Sequence, residues 1–310
     1  MDDLVTLFGG GGFLGRYVAQ ELLKAGARVR IAERDPSDAW FLKPLGGLGQ
    51  TQFVAASLTR PDSVARAVAG ATAVVNLVGV LKGAFQALHV DGARTAAAAA
   101  QAAGARAFVQ ISAIGADPAA DSAYARTKGL GEQAVRDAFP GAAILRPSIL
   151  FGAEDNFVNR FAGMIAIAPV VPVVRAGARF QPAWVSDVAR AIAQTALDPA
   201  AHGGKTYELG GPQVLSMGEL NAWIAQAIGR SVALPAMPDA LAAAAARLTG
   251  WLPGAPITWD QWLMLQHDNV VAPGQPGFAA FGIDPAPLAA VAPGWLVRFR
   301  RNGRFSLGTT

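Results

Sequence analysis

Near the start of the chain, Gly9-Gly10-Gly11-Gly12-Phe13-Leu14-Gly15 separates an apolar run at residues 4–8 from an amphipathic run at residues 13–24. The first run reads as a strand and the second as a helix, from their apolar periodicity. Gly9, Gly12 and Gly15 give the spacing G-x-x-G-x-x-G. A tight strand-to-helix turn needs residues without a Cβ. Such a turn lets the backbone approach a pyrophosphate while the helix N-terminus offers it free N–H groups. Gly9, Gly12, Phe13, Leu14, Gly15 and Arg16 are the expected cradle. The competing reading, a glycine-rich turn with no ligand, is weakened by the strand–turn–helix context.

The same rhythm continues. Strands are expected at residues 28–32, 52–55, 73–78, 107–111 and 142–145, with helices at 61–69, 88–103 and 124–138. Short apolar strands alternating with longer helices predict an α/β fold with a doubly wound parallel Rossmann sheet. After about residue 150 proline and aromatic residues become more frequent. A helix at 185–197, a strand at 206–209, a helix at 216–228 opened by a Ser216-x-x-Glu219 capping box, and a helix at 238–248 follow. The expected domains are a dinucleotide-binding domain at 1–150 and a smaller, partly interleaved C-terminal α/β lobe at 151–310. Parts of 180–210 are expected to pack back on the first.

Composition closes other routes. Charged residues make up 15 % and apolar ones 52 %, which excludes a disordered chain. With no cysteine there is no disulfide framework, thiolate metal site or cysteine nucleophile. His89, His202 and His267 form no ligand spacing, so no metal is expected. A net charge of +4 does not argue for nucleic acid. No apolar run reaches the roughly 18–20 residues of a membrane span, and the acidic start carries no readable signal peptide. The expectation is a cytoplasmic chain, with a peripheral place at the inner face of the membrane as its extension.

Ile31-Ala32-Glu33-Arg34 ends the second strand, where the adenosine ribose is contacted. An acid there favours NAD(H), and an arginine favours NADP(H). Both are present, and Arg34 together with Arg16 tilts the reading toward NADP(H). Tyr124-Ala-Arg-Thr-Lys128 sets Tyr and Lys one helical turn apart on one face. An ammonium beside a phenol favours the phenolate and lowers its pKa, which suits acid–base work at a carbonyl. Ser112 ends the fifth strand. Its hydroxyl either orients a substrate carbonyl or bonds its own loop. The Tyr–Lys pair is equally consistent with holding a cofactor without turnover.

With these residues the chain resembles an atypical or extended short-chain dehydrogenase/reductase, of the NAD-dependent epimerase/dehydratase kind. The glycine loop, Asn76, Ser112 and Tyr124-x-x-x-Lys128 fall in that family's order. More narrowly it is similar to bacterial relatives of the alpha subcomplex subunit nine of respiratory complex I. The matching stretches are Val75-Asn-Leu-Val-Gly79, Ser122-Ala-Tyr-Ala-Arg-Thr-Lys128, Leu145-Arg-Pro-Ser-Ile-Leu-Phe-Gly152, Gln181-Pro-Ala-Trp-Val-Ser-Asp-Val188, Tyr207-Glu-Leu-Gly-Gly211, Ile257-Thr-Trp-Asp-Gln261 and Asp268-Asn-Val-Val271. The resemblance implies NADP(H) binding, with Asn76, Val78, Gly79, Lys128 and Pro147 at the cofactor. It also implies an accessory or assembly role linked to complex I or quinone metabolism. The intact Ser112, Tyr124 and Lys128 imply, as the alternative, an active carbonyl reductase, dehydrogenase or epimerase. The chain departs from the family at Gly11, where Ser or Thr is usual, and at Ser57 and Leu58, where an acid often reaches the adenine. Gly129 and Gly131 interrupt the Tyr–Lys helix at about 1 kcal/mol each relative to Ala.

In the second lobe, Asn156, Phe157 and Arg160 follow the sixth strand, where a substrate pocket would open. Trp251, Trp259, Trp262 and Trp295 precede or accompany Arg298, Arg300, Arg301 and Arg304. That mixture suits a respiratory-complex or membrane-surface partner. It also suits a tryptophan core with a solvated basic tail.

Overall fold

The computed structural model describes residues 3–252, 255, 257–301 and 303. Its centre is a seven-stranded parallel sheet. Its strands are β1 (Leu4–Phe8), β2 (Arg28–Glu33), β3 (Thr51–Ala55), β4 (Ala73–Asn76), β5 (Ala107–Ile111), β6 (Ala143–Pro147) and β7 (Thr206–Leu209). The spatial order is β7-β6-β5-β4-β1-β2-β3. The order reverses beside β1, where a doubly wound sheet opens its ligand crevice at the carboxyl ends of its strands. All five residues of β5 are buried, as expected for a strand covered on both faces.

Helices α1 (Phe13–Lys24), α2 (Pro61–Val68), α3 (Gly92–Ala102) and α4 (Ala123–Ala138) form the crossovers. Ala93, Ala96, Ala97 and Ala100 of α3 are fully buried, in one cluster with Phe8, Val74, Phe108 and Ile144 of the sheet. The alanine tract is thus the surface that brings α3 close to the strands. Ser122 caps α4 by accepting the Ala125 N–H.

The chain comprises two compact units. One comprises Met1–Pro147, Val185–Leu209 and Pro273–Asp284, and the other Ser148–Trp184, Gly210–Ala272 and Pro285–Thr310. The first unit contains the sheet and also α6 (Val185–Leu197), which packs with α1. In this unit β7 pairs with β6 from Thr206↔Ile144 to Leu209↔Pro147. A buried ion cluster reinforces that edge. Arg146 of β6 donates to both carboxylate oxygens of Glu132, at 2.8 and 2.7 Å, and reaches Glu208 of β7 at 3.4 Å. The second unit holds α5 (Val158–Ile167), α7 (Met217–Ala227), α8 (Asp239–Thr249) and α9 (Trp259–Met264). Its core gathers Phe151, Val158, Ile165, Leu220, Ile224 and Leu296.

Two local forms differ from the sequence expectation. Residues 36–45 form a 3-10 helix (Pro36–Leu45), started by Asp35 accepting the Ser37 N–H. The helix expected at 88–103 begins instead as a π-helical turn, Gln86–Asp91, before α3. That turn explains Gly131, and the segment before α4 explains Gly129. A Cβ at Gly131 would lie 2.1 Å from the His89 carbonyl oxygen, and one at Gly129 would lie 2.5 Å from the Pro118 nitrogen. They are contact points at which neighbouring backbone presses on α4. We expect Gly131→Ala to lower Tm. Helix propensity alone favours Ala by about 1 kcal/mol, but overpacking costs about 1–3 kcal/mol and decides the sign. Thermal unfolding checks this, and a raised Tm would mean that the π-helical turn yields without cost.

Candidate functional site

The glycine loop is closed by backbone contacts. Gly9 has φ +79°, in the left-handed region. A Cβ on Gly15 would sit 2.4 Å from the Gly9 carbonyl oxygen and 2.6 Å from that of Gly10. The first turn of α1 therefore lies directly on the loop, and a side chain there is impossible. Gly12 is the N-cap of α1, with no side-chain cap and no acid in the first turn. The start of α1 at Gly12, Phe13 and Leu14 is thus suited to an anion. The Arg16 guanidinium lies 4.7 Å from the centre of the Phe41 ring.

At the end of β2, Glu33 Oε1 accepts the Gly11 N–H at 2.7 Å. Burial raises the Glu33 carboxyl pKa, while the Gly11 bond opposes the rise. A Cβ at Gly11 would meet both Glu33 Oε1 and the Ala39 Cβ at 3.1 Å. The departure from Ser or Thr at position 11 therefore goes with the inward turn of Glu33. Arg34 is exposed.

A buried polar chain joins the ends of β4 and β5 to α4. Asn76 Oδ1 accepts the Val78 N–H at 3.2 Å, and its Nδ2 donates to Gln110 Oε1 at 2.9 Å. Gln110 Nε2 donates to the Ile111 carbonyl at 3.1 Å, and Lys128 Nζ donates to the same oxygen at 3.0 Å. A Cβ on Gly9 would touch Val78, and one on Gly79 would lie 3.2 Å from Lys128 Nζ. Gly9, Val78, Gly79 and Lys128 thus come together beside the polar chain. The Pro147 carbonyl accepts the Ile114 N–H and the Leu145 carbonyl accepts the Ser112 N–H, which fixes the loop after β5 against β6. Ser112 Oγ is buried with no hydrogen-bond partner among the described residues. An unmade buried bond costs about 1–3 kcal/mol, which a bound molecule reaching that oxygen would relieve.

Tyr124 and Lys128 stand one turn apart, with Lys128 Nζ 5.9 Å from the centre of the Tyr124 ring. The expected lowering of the phenol pKa is not found. Burial pushes Tyr124 up to about 12. Burial also pushes Lys128 down to about 8, with Glu132 opposing. The ammonium is itself desolvated and hydrogen-bonded to a carbonyl, so its pull on the phenol does not offset the burial of the phenol.

Sequence reasoning missed His89 and Gln110. His89 is buried, its Nε2 accepts the Val80 N–H at 3.0 Å, and its Nδ1 lies 3.0 Å from Thr127 Oγ1. Nδ1 therefore carries the proton. The ring meets Tyr124 edge-on, with centroids 5.5 Å apart. Burial, assisted by Lys128, pushes its pKa down to about 3. His89 is thus a neutral strut between the loop after β4 and the Tyr–Lys helix. A lone histidine among alanines gave no signal of this.

Asn156, Phe157 and Arg160 fall in the second unit. Phe157 packs against Phe161 and Phe180 at 5.2 and 5.9 Å, whereas Asn156 and Arg160 are exposed. Among the C-terminal tryptophans, Trp262 is buried, Trp259 packs on the same cluster, and Trp295 stacks on Phe151. Trp251 is 77 % exposed. Arg298 and Arg300 donate to the carbonyls of Ala153 and Ala227. Arg301 is exposed, and Arg304 lies outside the described residues. Most of this cluster therefore serves the packing of its own unit.

Among the described residues no helix is long and apolar enough to cross a membrane. The cradle without side chains, the uncapped helix start and the orphaned Ser112 hydroxyl all fit a dinucleotide. The family model described as NAD(P)H-binding matches residues 9–156. The solved structure of an NADPH-dependent quinone oxidoreductase from Escherichia coli shares the fold. It aligns with a TM-score of 0.78 at 21 % identity, over 94 % of this chain and 99 % of that one. These findings define the class: a protein with an NAD(P)H-binding domain on a doubly wound α/β fold shared with NADPH-dependent reductases. Within it, the chain belongs to the family of the alpha subcomplex subunit 9 of NADH dehydrogenase [ubiquinone] 1. It is 34 % identical to the mitochondrial protein of Rattus norvegicus over 293 residues, 92 % of this chain and 77 % of that protein. It is also 35 % identical over 191 residues to a ceramide reductase of Caulobacter vibrioides, covering 60 % of this chain and 58 % of that protein.

The buried Lys128 generates a pH prediction. Its folded pKa of about 8 lies below the unfolded value near 10.4. Between these values the unfolded chain binds more protons, so this residue makes stability rise with pH from about 8 to about 10.5. Lys128→Met is expected to flatten that rise in urea unfolding measured from pH 7 to 10. Parallel curves for the two proteins would refute a desolvated ammonium.

Proposed function

We propose that the chain holds NADPH as a resident dinucleotide and acts as an accessory or assembly-type factor of a respiratory NADH:quinone oxidoreductase, peripheral to the membrane. The observation that carries this reading is the Tyr124 phenol, pushed up to about 12 with Lys128 turned to the Ile111 carbonyl. A phenol so far from ionisation is a poor proton shuttle at neutral pH. The same residues remain well placed to grip. Gly9, Gly12 and Gly15 take the pyrophosphate on the start of α1. Asn76 holds the Val78 N–H and, through Gln110, the carbonyl that orients Lys128. Lys128 is placed for the nicotinamide-side ribose, and Pro147 closes the strand beside it. NADP(H) over NAD(H) is supported by Glu33, whose carboxylate is turned to Gly11, and by Arg16 and Arg34 at that edge. The relatives named as complex I subunits support the partner class.

When bound, NADPH would supply a hydride, and a second reading takes that chemistry as productive. The orphaned Ser112 hydroxyl favours it, since it could orient a carbonyl beside Tyr124. In that reading Tyr124 donates its phenolic proton to the carbonyl oxygen.

The test is mass spectrometry of nucleotide released from the purified protein, with NADPH fluorescence followed as ketones, aldehydes and quinones are added. We expect NADPH that none of them oxidises, retained in Tyr124→Phe and lost in Gly15→Ala, which places a Cβ on the Gly9 carbonyl. Oxidation abolished by Tyr124→Phe would establish the reductase reading instead. Co-purification of the protein with respiratory membranes, weakened in Gly15→Ala, is the expected sign of the accessory role.

A further inference from the structure

Phe41 is a large aromatic residue left 47 % exposed on the 3-10 helix Pro36–Leu45. Its neighbour Leu42 is fully buried and fixes that helix to the unit. Burial therefore does not explain Phe41. Its ring faces Arg16, whose guanidinium carbon lies 4.7 Å from the ring centre. Arg16 comes directly after Gly15 on the first turns of α1, and the 3-10 helix begins just after Glu33 and Arg34 at the end of β2. The ring thus bridges from the segment after β2 to the helix that cradles the pyrophosphate, at the edge where the adenosine ribose belongs.

Glu33 sharpens the point. An acid at this position ordinarily accepts from the ribose 2′-hydroxyl. Here its carboxylate accepts the Gly11 N–H at 2.7 Å, and the bare Gly11 makes that possible because a Cβ there would meet the same oxygen. With Glu33 engaged by the loop, a cation held in a fixed direction becomes the means of telling a 2′-phosphate from a hydroxyl. Arginine suits the task because its planar guanidinium stacks on a ring and its fork of N–H donors matches phosphate oxygens.

We propose that Phe41 is a specificity-determining residue for the dinucleotide: its ring positions the Arg16 guanidinium to read the 2′-phosphate. The inference rests on the reading that NADPH is the resident dinucleotide. Phe41 acts through Arg16, whose guanidinium lies over its ring.

The experiment is calorimetric titration of the nucleotide-stripped full-length protein with NADPH and, separately, with NADH. A cation–π contact at a partly exposed site corresponds to about two- to fivefold in Kd. Phe41→Ala is expected to weaken NADPH by about that factor and leave NADH unchanged, while Phe41→Tyr restores NADPH binding. In an Arg16→Ala background, Phe41→Ala is expected to have no further effect, because the interaction it served is gone. Equal weakening of both dinucleotides by Phe41→Ala, or full additivity with Arg16→Ala, would overturn the proposal in favour of a structural role. NADPH binding unchanged in Phe41→Ala would overturn it as well while leaving the resident-dinucleotide reading intact. Failure of the unaltered protein to bind either dinucleotide would overturn that reading, and this inference with it.

Discussion

The meeting of α1 with the glycine loop is the contact on which the site depends. A helix can start on top of a strand end only if nothing intervenes, and at Gly15 not even a methyl group fits beneath the carbonyls of Gly9 and Gly10. That close approach points the uncapped N–H groups of α1 over the crevice beside β1. It also sets the loop against Val78 and brings Gly11 within reach of Glu33. The ends of β1, β2 and β4 are thereby held together at the loop, and Gly15 is the position that tolerates no side chain.

From that anchor the site extends by buried polar contacts. Gln110, itself held by Asn76, and Lys128 converge on the Ile111 carbonyl and keep the ends of β4 and β5 in step with α4. Water is largely excluded from this chain, and the exclusion sets the chemistry. Both members of the Tyr–Lys pair are displaced toward their neutral forms, one upward and one downward, by the same burial. His89, neutral and bonded at both ring nitrogens, adds rigidity without adding charge.

Much of this was legible in the sequence. The strands and crossover helices were readable because apolar runs of 4–6 residues alternate with helical patterns. The Tyr124–Lys128 spacing marked one face of α4 without coordinates. What could not be read depends on contacts between distant residues. Gly129 and Gly131 looked like weak points in a helix, and their cause, backbone at Pro118 and His89, lies some ten and forty residues away in the chain. The 3-10 helix at 36–45 carries two prolines and exposed aromatics, so it showed neither helical nor strand periodicity. The pKa of Tyr124 could not be foreseen, because spacing shows the nearby cation but not the loss of water around both groups.

The sheet edge at β6 bears on how the chain comes to be made. Residues 206–209 pair with β6 in register and bring Glu208 to Arg146, yet β6 ends at Pro147. During synthesis, β6 leaves the ribosome with an open hydrogen-bonding edge and an arginine whose second carboxylate partner, Glu208, is 62 residues away. The intervening stretch includes α5 and α6. Long-range pairing of this kind is slow to form, and an open strand edge invites pairing with other chains while it waits. The charged Arg146, partly buried on a strand otherwise lined with buried apolar residues, discourages such pairing until β7 arrives. The finished sheet therefore needs a strand made well after the run of 1–147 that supplies the other six.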